Sequence, residues 1–174
     1  MALTRLGLNQ SINLASNVTG TLPTGNGGTG ATSFTAGKVL QLVSASQTNT
    51  VTSTSTSYVD ISGLSVSITP SSSSNKLFII YNVMCSDSAT SRNDSFQIVR
   101  DSTAIISPSN YWRLQHSTFM AQLSGNFLDS PSTTSAVTVK AQWRGEGDTM
   151  TLNRRGDNST VRSVSSISVM EISA

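Results

Sequence analysis

From Val137 to Trp143 apolar and polar residues alternate strictly: Val137, Val139, Ala141 and Trp143 share one parity, and Thr138, Lys140 and Gln142 the other. Successive side chains of an extended chain point to opposite faces, so this run buries one face as a β-strand, whereas on a helix its apolar residues would scatter around the axis. Runs of the same character recur after Lys38, and strands are expected near 38–43, 51–68, 77–85, 96–106, 114–128, 136–143, 149–153 and 161–172. Sustained helical periodicity occurs nowhere. In the run 51–68, Val59 and Ile61 lie on one parity and Leu64, Val66 and Ile68 on the other, so a bulge is expected at the intervening Gly63. The segments 71–75, 86–94, 107–110 and 130–135 are rich in Ser, Pro and Asn and read as turns. Many short strands with frequent turn signals predict an antiparallel β-sandwich or jelly roll.

Composition supports the all-β reading. Only 11% of the 174 residues are charged, less than half the roughly 25% of an average domain. Serine and threonine make up about a third of the chain in their place. Hydroxyls keep a surface wet without supplying the helix-favouring Glu, Lys and Ala, and Thr favours strands. Eleven cations against nine anions leave no basic footprint for nucleic acid. The longest apolar run, Leu77 to Tyr81, is far short of the roughly 18 residues of a membrane span. Met1 to Leu14 lacks the continuous apolar stretch of an export signal, so none is expected. Cys85, the single cysteine, lies in an apolar run and reads as a buried hydrophobe.

The chain has two regions. Seven of the twelve glycines precede Lys38, and up to Asn75 the only charged side chains are Arg5, Lys38 and Asp60. A segment so rich in glycine is costly to order and has few side chains for a core. Residues 1–37 therefore read as an extended segment that takes its order from contact with other copies or a larger particle, and residues 38–174 as the sandwich domain. Few Lys and Pro residues protect the edges of that sandwich, which favours association with other copies.

No constellation of catalytic residues stands out. His116 is the only histidine, so no His pair for a metal and no His relay exists, and no metal or cofactor is expected. There is no G-x-S-x-G elbow for a serine nucleophile. Gly25 to Gly30 lacks the Lys-Ser/Thr pair of a phosphate loop. Arg155-Gly156-Asp157 spells an adhesion tripeptide but reads as a turn, and Arg144, Arg154 and Arg155 read as solvated turn residues. The acids Asp87, Asp94, Asp101, Asp129, Glu146, Asp148, Asp157 and Glu171 fall mostly in loops or at strand ends, where solvated roles are expected, and an enzyme is not. Tyr111, Trp112 and Arg113 follow the Pro108 loop and are the candidate receptor contacts, an aromatic pair beside a hydrogen-bonding cation, with core or interface packing of the aromatics as the commoner alternative.

The segment Asn17 to Thr32, with Leu22-Pro23 and Asn26-Gly27-Gly28-Thr29-Gly30-Ala31-Thr32 at its centre, resembles the signature of tail-fibre and related appendage proteins of tailed bacteriophages. Ser57 to Asp60, Leu64 to Pro70 with Lys76-Leu77, and Ile167 to Ile172 are similar to small β domains that follow the signature in phages of marine bacteria. The resemblance implies a virion structural protein assembled in the host cytoplasm, a short homotrimeric fibre or fibre-like appendage. Leu22, Pro23, Asn26, Gly27, Gly28, Thr29 and Gly30 would serve attachment and trimer packing, with three Gly-rich segments approaching closely around an axis. Its partners would be other virion proteins of tail, collar or capsid. The C-terminal sandwich would project outward and contact a host surface glycan. The alternative is a capsid decoration, head-fibre or collar protein with a purely structural role. The signature occurs once here, which argues against a long repeated shaft.

Overall fold

The computed structural model describes residues 39–89, 92–107, 112–114 and 118–174, with only the backbone at 92 and 112–114. Lys38–Ala174 forms one compact unit. Eleven strands follow in chain order: β1 (Val39–Gln47), β2 (Val51–Ser53), β3 (Val59–Ile68), β4 (Lys76–Asp87), β5 (Arg92–Arg100), β6 (Thr103–Ile106), β7 (Trp112–Leu114), β8 (Ala121–Asp129), β9 (Val137–Arg144), β10 (Met150–Leu152) and β11 (Ser165–Ile172). They build two antiparallel sheets. The larger runs β1-β11-β4-β10-β2, and β8 pairs with β4 along Leu77–Cys85, on the edge of β4 opposite β11. The smaller runs β3-β9-β5-β6, with β7 beside the start of β5. No helix occurs among the described residues, and the expected all-β antiparallel sandwich is what the chain forms.

The two inner faces meet in one core. Val137, Val139, Ala141 and Trp143 supply the buried side of β9, Leu77, Ile79, Val83 and Cys85 that of β4, and Ile167 and Val169 that of β11. Each fully buried aliphatic side chain contributes about 1.5–3 kcal/mol relative to remaining exposed. The bulge expected at Gly63 is present: φ is +83° there, and the β3–β9 register shifts between Asp60 and Ser65. A Cβ on Gly63 would lie 2.2 Å from Gln47 Nε2. That amide donates to Ser62 O at 2.9 Å, so the bulge also ties β3 to β1 of the other sheet.

Two expected runs are each split in two. In 51–68, Ser55 N donates to Ser53 Oγ and Ser57 N to Ser55 Oγ, both at 3.1 Å, and these local bonds compete with the ladder and end β2. In 96–106 Asp101 adopts a left-handed φ of 53°, turning β5 into β6; its carboxylate accepts from Thr138 N at 2.8 Å. Of the run 114–128, Ala121 to Leu128 lie in β8 and Leu114 ends β7, while 115–117 lie outside the described residues.

Buried polar groups organise the ends of the sandwich. Glu171 is fully buried, and its carboxylate accepts from Gln41 Nε2 (2.6 Å), Ser71 N (2.7 Å), Ser71 Oγ (2.8 Å) and Asn75 Nδ2 (2.6 Å). Asn153, also buried and at φ 58°, donates to Gln47 O and accepts from Ser165 Oγ at 2.6 Å. Arg100 and Asp129 form an ion pair that joins β5 of the smaller sheet to β8 of the larger. Asp87, Asp94, Asp129 and Glu171 are thus inside the protein, not solvated as expected from their place at strand ends.

Candidate functional site

At one end of the sandwich, the link from β2 to β3, the start of β5 and the turn after β9 surround a cleft of about 450 Å³ lined by Thr56, Asn93, Arg144, Gly145 and Glu146. Local bonds shape its walls. Gly145 N donates to Ser55 O at 2.9 Å, fixing the 54–58 link against the end of β9. Ser88 N donates to Thr149 O (3.0 Å) and Thr149 N to Ser88 Oγ (3.1 Å), which closes the 145–149 turn against the end of β4. Within that turn Gly147 has a φ of +100°, a conformation other residues rarely adopt.

The lining is amphoteric. Arg144 lies over the Tyr58 ring, 5.3 Å from its centroid, close enough for a cation–π contact that places its positive charge at the cleft wall. Asn93 Nδ2 donates to Glu146 Oε1 at 3.3 Å. Cation, carboxylate, amide and hydroxyl in one cleft suit a neutral polyhydroxylated ligand, whose hydroxyls both donate and accept.

Behind the cleft lies a buried acidic pair. Asp94 and Asp87 are both 0% exposed, and neither oxygen of Asp94 nor Oδ2 of Asp87 accepts from a protein donor. Asp87 Oδ1 accepts from Ala89 N at 2.7 Å. Burial pushes the Asp94 carboxyl up to about 7, helped by the charge of Asp87, a hydrogen bond to Asp87, and the charges of Glu146 and Asp148. With its proton kept, Asp94 can donate to Asp87, and one of the two buried charges is removed. Gly145 makes room for this pair: a Cβ there would sit 3.2 Å from Asp94 Oδ1 and 3.2 Å from Met150 Sδ. Among the described residues no group of three or more His, Cys, Asp and Glu side chains is arranged to hold a metal.

Of the candidate receptor contacts, Trp112 and Arg113 belong to β7, whose backbone pairs Trp112 with Asp94 and Arg113 with Asn93, beside the cleft. Tyr111 and His116 lie outside the described residues, as do Leu22, Pro23, Asn26, Gly27, Gly28, Thr29 and Gly30. Arg155 binds Asp157 through two bonds of 2.8 and 2.7 Å within its own turn. The lining residues Thr56, Asn93, Arg144, Gly145 and Glu146 come from three separate segments, and no sequence spacing links them. Cys85 is buried as expected, and desolvation, with the nearby Asp94 and Asp87 charges, pushes its thiol far above the ordinary range.

No helix among the described residues is long and apolar enough to cross a membrane. No family model matches the sequence, and no curated protein matches it. Among solved structures the chain is similar to that of the Gt strain of infectious bursal disease virus, with 13% identity and a TM-score of 0.46 over 77% of this chain and 38% of that one. The T=1 particles derived from the same virus give 8% identity and a TM-score of 0.45 over 99% and 41%. Dimeric latent PorU from Porphyromonas gingivalis gives 10% identity and 0.40 over 84% and 15%. The chain therefore spans about two fifths of the viral chains it matches.

Proposed function

We propose that this chain is a virion structural protein of a tailed bacteriophage, a short trimeric fibre-like appendage. Residues 1–37 attach it to the particle, and the β-sandwich projects outward. The reading is carried by one observation: the signature segment Leu22 to Thr32, unable to build a core of its own, is followed from Val39 by a complete sandwich with its own buried core. A chain divided in this way suits a part that is held at one end and presents a stable domain at the other. The cleft of Thr56, Asn93, Arg144 and Glu146 is the surface offered to the host, and its ligand is a glycan. The reading assigns the cleft binding and not catalysis: a glycan-cleaving pair needs one carboxyl at the substrate as acid and a second as base or nucleophile, and among the described residues Glu146 is the carboxyl that lines it.

Deleting residues 1–37 tests the division of labour. Supplied during infection in place of the whole chain, the truncated protein is expected to keep its β-type circular dichroism and its cooperative melt but to be missing from purified particles. Incorporation of the truncated chain at normal levels would refute attachment through this segment.

A further inference from the structure

The two outer faces of the sandwich differ in chemistry. On the smaller sheet Asp60 pairs with Lys140 at 2.7 Å and accepts from Gln142 at 2.6 Å, a charged and internally bonded surface. On the larger sheet the antiparallel registers align Leu42 with Met170, Met170 with Phe78, and Phe78 with Leu128. These four side chains alternate with the buried Leu77, Ile79 and Val169, so they form one outward row across β1, β11, β4 and β8. Leu42 is 57% exposed and Leu128 54%, with Leu40 at 46% and Ile80 at 40% nearby. Lys76 is the one charged residue that these four strands turn outward among the described residues, and it sits at the rim, bonded to Ser130 Oγ at 2.8 Å.

The face continues into an edge. Among the described residues β8 pairs with β4 alone, and from Ala121 to Leu128 it carries no charge and no proline. The devices that usually stop an edge strand from accepting another chain are missing there.

We propose that this face and the β8 edge beside it form the surface on which a second copy of the chain docks; the proposal rests on the homo-oligomeric reading above and assigns its contact surface. Four strands about 4.8 Å apart, each about eight residues long at about 3.3 Å per residue, present roughly 500 Å² in projection. Side-chain relief and the β8 edge bring that toward the roughly 800 Å² per partner of a standard interface. A nearly uncharged face meets a different surface of the neighbouring copy around a threefold axis without like-charge repulsion, and a strand of that copy supplies the backbone partners that the β8 edge lacks. The hydroxyls and amides beside the apolar row bond to one another, Ser44 with Ser168 at 2.9 Å and Gln122 with Asn82 at 3.0 Å, and an anionic membrane would find one lysine.

The test compares the full-length protein with Leu42→Lys/Leu128→Lys, with Leu128→Lys alone, and with Ser67→Lys on the exposed side of β3 as control. Native mass spectrometry and light scattering across a micromolar dilution series read the oligomer, and circular dichroism checks folding. The wild type and the control are expected to be oligomeric to the same extent. The double variant is expected to dissociate at concentrations at least tenfold higher, and the single variant to shift in the same direction. Undiminished association of the folded double variant would overturn this surface while leaving the oligomer standing. A wild type that is monomeric at tens of micromolar would overturn both and leave the face to another partner.

Discussion

Replacing Asp94 by Asn separates the burial of a carboxyl from its charge. The Asp94 carboxyl is raised from 3.8 to about 7, chiefly by burial and then by Asp87, Glu146 and Asp148. Between those two values the folded chain keeps a proton that the unfolded chain has released, so the folded state binds more protons and stability falls as pH rises. The penalty is absent below pH 4, grows as pH rises past the ordinary carboxyl range, and levels off once the folded chain also releases the proton, at a total on the order of a few kcal/mol. Asparagine stays neutral and its amide can donate to Asp87 as the protonated acid can. Asp94→Asn is therefore expected to stabilise the fold, with its advantage over wild type growing by roughly 2–3 kcal/mol between pH 5 and pH 8. Urea denaturation at half-unit pH intervals from 4 to 8 measures this directly. An advantage that stays constant across the range, or a variant less stable than wild type at pH 8, would refute the argument.

Glu171 titrates in the opposite sense: burial alone would raise it, but hydrogen bonds from Asn75, Gln41 and Ser71 outweigh burial and hold it down to about 2. Its contribution is complete above about pH 4.5 and is lost as pH falls toward 2, so Glu171→Gln is expected to cost about 2–3 kcal/mol at pH 7 and little at pH 2, by the same denaturation assay. Gly63→Ala places a Cβ against Gln47 at a left-handed φ and is expected to cost about 1–3 kcal/mol, read as a lower melting temperature. Cys85 is expected to stay unmodified by a thiol reagent in the folded protein and to react at once in denaturant.

Period-two reasoning made the core legible and, carried further, would have reached the buried acids. Asp94 shares the parity of Phe96 and Ile98, Asp87 that of Val83 and Cys85, and Glu171 that of Ile167 and Val169. Extending each alternation by two residues places the carboxyl inward. Charge suggested the solvated reading instead, and it failed because the interior supplies Glu171 with four donors and leaves Asp94 its proton. The Gly63 bulge was visible as a change of parity between Ile61 and Leu64. The division of the long runs was not, because the turns at Ser53–Ser57 and Asp101 depend on local side-chain bonds in a chain where Ser and Thr are everywhere. The cleft was out of reach for a different reason: Thr56, Asn93 and Glu146 are brought together only by the pairing of β5 with β9 and by the Gly145–Ser55 bond. The outward apolar row likewise exists only once four registers are known.

The proposal that this chain is an outward-facing structural part of a phage particle is tested most directly by electron cryomicroscopy of purified virions. The account predicts threefold density at a tail or collar position, with three β-sandwiches outermost and the N-terminal segments leading into the particle. Sandwiches packed flat against the shell would contradict the appendage reading and favour a capsid decoration, and absence of the chain from purified particles would contradict the virion reading altogether.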